Sequence, residues 1–159
     1  MYIRYNDLEY SYRDLQECKK IVTRNEEKSD KTFYKNREVW VKIIEETDPN
    51  IQDIYDIKFY ITWDSKLEKV ITKWSIHTWD YFSDGSVNLY HEGHLPDWRI
   101  VEKGISQKCI KASQVEGYAV EYKYIVKDGK TLDEPLIEGR EVSREEFDEI
   151  IETYRSSNI

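Results

Sequence analysis

The run IYDIKFYITWD, residues 54 to 64, alternates strictly: Tyr55, Ile57, Phe59, Ile61 and Trp63 against Asp56, Lys58, Tyr60, Thr62 and Asp64. That period of two predicts a half-buried β-strand with one apolar face. The next run, KVITKWSIHTW, places Val70, Trp74 and Ile76 on one side and Lys73, Ser75 and His77 on the other. A turn at Asp64-Ser65-Lys66 would set Ile61 opposite Val70, Ile57 opposite Trp74 and Tyr55 opposite Ile76. All three cross-strand pairs are apolar, so the register agrees with itself. REVWVKII can join through Asp48-Pro49-Asn50, bringing Val41 near Ile57 and Ile43 near Tyr55. With residues 86 to 91 the expectation is a four-stranded meander sharing one core face.

Two stretches carry the period of a helix. In SREEFDEIIETYRS, Ser143 is an N-cap, Glu146 completes an S-x-x-E capping box, and Val142 with Phe147 fits a hydrophobic staple. Phe147, Ile150, Ile151 and Tyr154 then form the apolar stripe. In SYRDLQECKKIVTRN, Ser11 and Asp14 stand in a similar frame, with Tyr12, Leu15, Cys18 and Val22 on one side, predicting a second helix. DWRIVEKG has room for a short strand. GYAVEYKYIVKDGK alternates again, with Val120, Tyr122, Tyr124 and Val126 on one face, and ends in an Asp-Gly turn. Repeats and low-complexity tracts are lacking. The sequence therefore predicts an α+β fold in a single domain, residues 1–159: an antiparallel β-meander sheet with an N-terminal and a C-terminal helix.

Composition changes this picture only in its surface. Of the 159 residues, 39% are hydrophobic and 35% charged, with 13 Tyr and 5 Trp supplying bulk to the core. No run is long enough to span a bilayer as a helix, and MYIRYNDLEY lacks a basic-then-apolar leader, so a cytoplasmic protein is expected. Cys18 and Cys109 are unpatterned and fit ordinary thiols. Net charge is −8, and residues 131 to 159 hold nine acids against three arginines, which is −6 of that total. A chain so acidic, with no basic stripe, speaks against direct nucleic-acid binding and for a protein partner with a basic surface.

Candidate chemistry centres on HTWDYFSDGSVNLYHEGHLPDW, which holds all three histidines, His77, His91 and His94. His91 and His94 are three residues apart in H-E-G-H, followed by Pro96, whereas the zincin pattern needs His at i and i+4 on a helix. A two-residue turn at Asp84-Gly85 would set Val87 opposite Phe82 and send His77 and His91 to opposite faces. A three-residue loop, Ser83-Asp84-Gly85, would oppose His77 and His91 directly. Face polarity favours the first register, and neither gathers a full ligand set. No Gly-rich phosphate loop, G-x-S-x-G elbow or C-x-x-C occurs, although a Cys109–His encounter stays open. The expectation is a binding protein without cofactor or metal, not an enzyme. A small metal-dependent hydrolase built on His77, His91 and His94 is the distant alternative.

What remains is surface. Glu145, Asp148, Glu149 and Glu152 line the outer face of the C-terminal helix. Trp79, Tyr81 and Tyr90 would cluster on the sheet face opposite Trp74 and Val87, while Tyr2, Tyr5, Tyr10 and Tyr12 crowd the N-terminus. These aromatics are either interface anchors or a second core beneath a helix. In length, in its Tyr-rich and Lys/Glu/Ile-heavy character, and in the capped end EGREVSREEFDEIIETYRSSNI, the chain resembles the small phage-encoded anti-CRISPR proteins that inhibit type II RNA-guided nucleases. The resemblance is one of overall character, and no functional residue is carried over from it. It implies a stoichiometric inhibitor that blocks DNA cleavage inside a bacterial host, by mimicking DNA or by clamping a nuclease domain. An immunity protein neutralising a toxin nuclease predicts the same acidic surface.

Overall fold

In the computed structural model, which describes residues 1–63, 73–76, 81 and 85–157, antiparallel pairing begins at the second residue. Strands β1 (Tyr2–Tyr5) and β2 (Leu8–Leu15) are joined by Asn6 and Asp7, at φ 50° and 62°. Two left-handed residues in succession make the type I′ geometry whose twist suits a tight hairpin. Gln52 offsets the strain at Asp7: its side chain accepts the Asp7 N–H at 2.7 Å and donates to Asp7 Oδ1 at 2.7 Å. Strand β3 (Cys18–Thr23) then returns along β2.

The expected N-terminal helix over 11–25 is therefore absent; those residues form the β2–β3 hairpin instead. Ser11 pairs with Val22 and Tyr12 with Ile21, so Tyr12 and Val22 point to opposite faces of the sheet, and both are buried. Leu15, second in the supposed helical stripe, is 47% exposed. The apparent stripe was a coincidence of spacing. The density of Tyr, Ile, Val and Thr, which pack well on a pleated surface, decides the conformation. Asp14, expected near a helix start, instead lies across the hairpin from Lys19 at 3.1 Å.

The chain divides into two compact units: Met1–Ile57 with Tyr122–Glu138 and Thr153–Ile159, and Lys58–Glu121 with Gly139–Glu152. In the first, β4 (Tyr34–Asn36), β5 (Val39–Ile44) and the opening of β6 (Ile51–Thr62) complete the order β4-β5-β3-β2-β1-β6. The meander expected between REVWVKII and the next strand does not form. Strand β5 pairs with β3, Val41 against Val22, while β1 takes the edge of β6, Ile3 against Ile54 and Tyr2 against Tyr55. Asp48-Pro49-Asn50 forms successive turns, with Asn50 N–H bonded to Asp48 Oδ1 at 2.9 Å, rather than a hairpin. Ile3, Tyr5, Tyr10, Tyr12, Ile21, Ile44 and Ile54 make the core on one side of the sheet. Lys42 reaches into it, its Nζ donating to the Tyr5 hydroxyl at 2.9 Å and lying over the Tyr5 ring at 4.7 Å. On the other side Tyr2, Tyr55, Tyr122, Tyr124 and Tyr154 pack ring against ring.

In the second unit the order is β6-β7-β8-β10-β9, with β7 (Lys73–Ile76), β8 (Ser86–Glu92), β9 (Arg99–Glu102) and β10 (Ile105–Lys111). The pairing of β6 with β7 is slipped by four residues from expectation: Ile61 opposes Trp74 and Phe59 opposes Ile76. An even slip preserves which side chains share a face, so Phe59, Ile61 and Ile76 are buried together as the alternation required. Val70, the expected partner of Ile61, lies outside the described residues. Val87 opposes Tyr81, not Phe82, which is the pairing of the three-residue loop rather than the favoured two-residue turn. Further along, Ser75 opposes Tyr90, so no single register joins these strands. His77, Trp79, Phe82 and Asp84 lie outside the described residues.

Strand β11 (Gly117–Lys127) pairs with β6 and with β12 (Lys130–Val142) through Asp128-Gly129, at φ 51° and 75°. Asp53, buried, accepts the Asp128 N–H at 2.9 Å and fixes this turn. Helix α1 (Arg144–Ser157) follows, and it is the one α-helix among the described residues. No helix among them is long and apolar enough to cross a membrane. The fold is thus mainly antiparallel β, closed by a C-terminal helix.

Candidate protein-binding face on the C-terminal helix

Ser143 stops β12 and starts α1. Its Oγ accepts the Glu146 N–H at 3.1 Å, one half of the expected capping box, and its carbonyl accepts the Phe147 N–H at 2.9 Å. The Glu146 carboxylate pairs with Arg140 at 2.6 Å, tying the first turn back to β12. Alanine at 143 is expected to cost about 1 kcal/mol by leaving the first-turn N–H without its side-chain acceptor. Urea denaturation checks this, and aspartate at 143 should restore the loss.

One side of α1 is held by its apolar residues. Phe147 and Ile151 are completely buried; Phe147 meets Tyr118 at 4.8 Å, Tyr81 at 5.5 Å and Phe59 at 5.7 Å between ring centroids. Tyr154 belongs to the tyrosine cluster of the first unit, its ring 4.4 Å from Tyr2 and its hydroxyl 2.6 Å from that of Tyr55. With these positions fixed, the 3.6-residue period turns Glu145, Glu149 and Glu152 outward, and all three are exposed.

Asp148 behaves differently. It is half-buried, accepts the Tyr81 hydroxyl at 2.5 Å, and stands 3.9 Å from Arg144. Tyr81 itself is buried, and its hydroxyl is pushed above the ordinary tyrosine range, first by burial and then by the hydrogen bond to Asp148. Of the seven residues expected at an interface, these two join into a strut between β8's neighbourhood and the helix. Tyr90 is half-buried on the other face of β8 from Val87 and Leu89, and Gln107 Nε2 donates to its hydroxyl at 3.2 Å. Tyr81 and Tyr90 therefore do not share a patch. Trp79 lies outside the described residues.

His91 opposes Ser106 on β10, and its ring faces Trp98 at 6.4 Å. Trp98 stands 6.3 Å from Trp63, over whose ring Lys108 Nζ lies at 5.6 Å. Sequence reasoning did not find this half-buried aromatic group, because Trp63 and Trp98 are 35 positions apart and only the fold brings them together. His94 is exposed, and among the described residues no three His, Cys, Asp or Glu side chains converge as metal ligands. Cys109 is exposed on β10 and Cys18 half-buried on β3; both are free thiols.

These features define an antiparallel β protein that presents a fixed acidic helix. Comparison of the chain with known protein families, with curated proteins and with solved structures returns no match to any of them.

Proposed function

We propose that this protein is a stoichiometric inhibitor that binds a nucleic-acid-handling enzyme through the acidic face of α1, its target being a type II RNA-guided nuclease, and thereby stops DNA cleavage. The observation that carries the reading is the fixed stripe Glu145, Glu149 and Glu152, exposed along one line of a helix whose opposite side is locked into the fold. At 1.5 Å rise per residue these carboxylates are spaced by about 6 Å and 4.5 Å along the axis. Because the helix is held by buried aromatics, the stripe needs little ordering on binding, and preorganisation favours affinity. RNA-guided nucleases hold their guide–target duplex in a positively charged channel, and an acidic face is steered toward such surfaces. Tyr81 and Asp148 have a supporting role here: they set the helix in place rather than meet the partner.

The test is co-elution of the protein with a type II effector, with and without guide RNA, followed by a cleavage assay. Replacing Glu145, Glu149 and Glu152 together by lysine is expected to weaken binding by at least about tenfold at low salt, with the wild-type complex itself loosening as salt rises. A competition experiment with target DNA separates DNA mimicry, which displaces the DNA, from a clamp, which leaves DNA bound while cleavage stops. Absence of any complex, or a triple variant that binds and inhibits as well as the wild type, would overturn the proposal.

A further inference from the structure

The first unit holds a cleft of about 260 Å³ between its sheet and the β11–β12 turn. Ile51, Ile54, Ile125 and Val126 make its floor, and two of these, Ile51 and Ile54, are core residues of that unit. Its mouth is charged. Asp14, Lys19, Glu46 and Asp48 border it, three carboxylates against one ammonium. Lys19 is already engaged, 3.1 Å from Asp14 and 3.9 Å from Glu46. The Tyr12 hydroxyl, kept protonated by burial and by the Asp14 carboxylate, completes the polar side.

Small-molecule sites combine an apolar body with a few placed polar groups, and this cleft has both in one concavity. Its volume equals that of about nine waters, which suits a ligand of about ten non-hydrogen atoms. An apolar floor rewards a hydrocarbon body, while the surplus negative charge selects the head group. We infer that the cleft between the sheet and the β11–β12 turn binds a small amphipathic ligand with an aliphatic or aromatic body and a cationic ammonium head directed at Glu46 and Asp48. This site lies apart in sequence from the helix stripe and does not depend on the reading given to it.

Three phenylalkyl probes of similar size test the inference on the intact chain: phenethylammonium, 2-phenylethanol and 3-phenylpropionate, followed by amide chemical shifts in two-dimensional NMR. Phenethylammonium should give saturable shifts confined to residues 46–54 and 122–132. The alcohol should bind about tenfold more weakly, since a charge-assisted contact is replaced by a neutral one, and the carboxylate more weakly still. Glu46→Gln, at a side chain 76% exposed and hence harmless to folding, should lower ammonium affinity about threefold and leave the alcohol unchanged. Thr131→Trp, at an exposed position on the rim, should fill the cleft and abolish both. The inference is overturned if no probe saturates at these residues, if the carboxylate binds as well as the ammonium, or if Glu46→Gln leaves the preference intact.

Discussion

Phe147→Ala is expected to destabilise the protein by about 3–5 kcal/mol, the cost of emptying a large aromatic site that its surroundings refill only in part. The ring is fully buried, and three further rings close on it: Phe59 edge-on at 90°, Tyr81 at 76° and Tyr118 at 51°. Edge-to-face contacts of this kind add to simple area burial, so the loss should lie toward the upper end. Phe147→Leu keeps most of the volume and should cost only about 1–2 kcal/mol. Urea denaturation reads both as a fall in midpoint at nearly constant slope. A loss below about 1 kcal/mol for the alanine variant would mean that α1 is not seated on this site. If α1 carries the partner surface, the alanine variant should also lose affinity although no acidic residue has changed.

The second large effect is alkaline. The hydroxyl of Tyr10 is pushed up to about 12, chiefly by burial and then by the Asp30 carboxylate. Burial raises Tyr55, Tyr81 and Tyr154 further. All four are buried side chains: Tyr10 donates to the Lys28 carbonyl at 2.8 Å, Tyr81 to Asp148, and Tyr55 and Tyr154 share one bond. Below about pH 10, the ordinary tyrosine value, both folded and unfolded chains keep these protons and the stability is whole. Above it the unfolded chain releases them while the folded chain holds them, so stability falls with rising pH. By about pH 11 each such tyrosine has removed about 1.4 kcal/mol. Four together remove about 5–6 kcal/mol, comparable with the whole stability of a small domain. Unfolding should therefore be cooperative between about pH 10 and 12, with tyrosinate absorbance rising in step with the loss of β circular dichroism. A gradual tyrosinate titration centred on about pH 10, with the fold intact, would show these hydroxyls to be accessible.

The elements legible in the sequence are those whose signal is local. Helix α1 declares itself through Ser143, Glu146 and the Phe147–Ile151 stripe, all within about two turns of its start. Strands β6 and β11 declare themselves by alternation, and the even slip between β6 and β7 leaves Phe59, Ile61 and Ile76 on one face as the alternation of β6 required. The N-terminal hairpins were hidden because Asn6-Asp7 turns without glycine, and because Tyr12, Leu15, Cys18 and Val22 imitate a helical spacing. Strand β12 gives no alternation, since little lies beneath it, and Pro135 and Gly139 argue against a strand unless it is an edge. Among the described residues it pairs with β11 alone, as an edge strand would. At the candidate site, the carboxylate stripe could be read from spacing. The burial of Tyr81 could not, because it depends on a pairing with Val87 that the sequence leaves open between two loops.

Strand β12 also bears on how freely this protein can change. Eleven of its thirteen residues are exposed, so its place depends on main-chain bonds to β11 more than on what its side chains bury. Substitutions along it, away from Pro135 and Gly139, therefore cost the core little. The charge pattern of this strip can therefore be rewritten, residue by residue, while the framework that carries it stays the same.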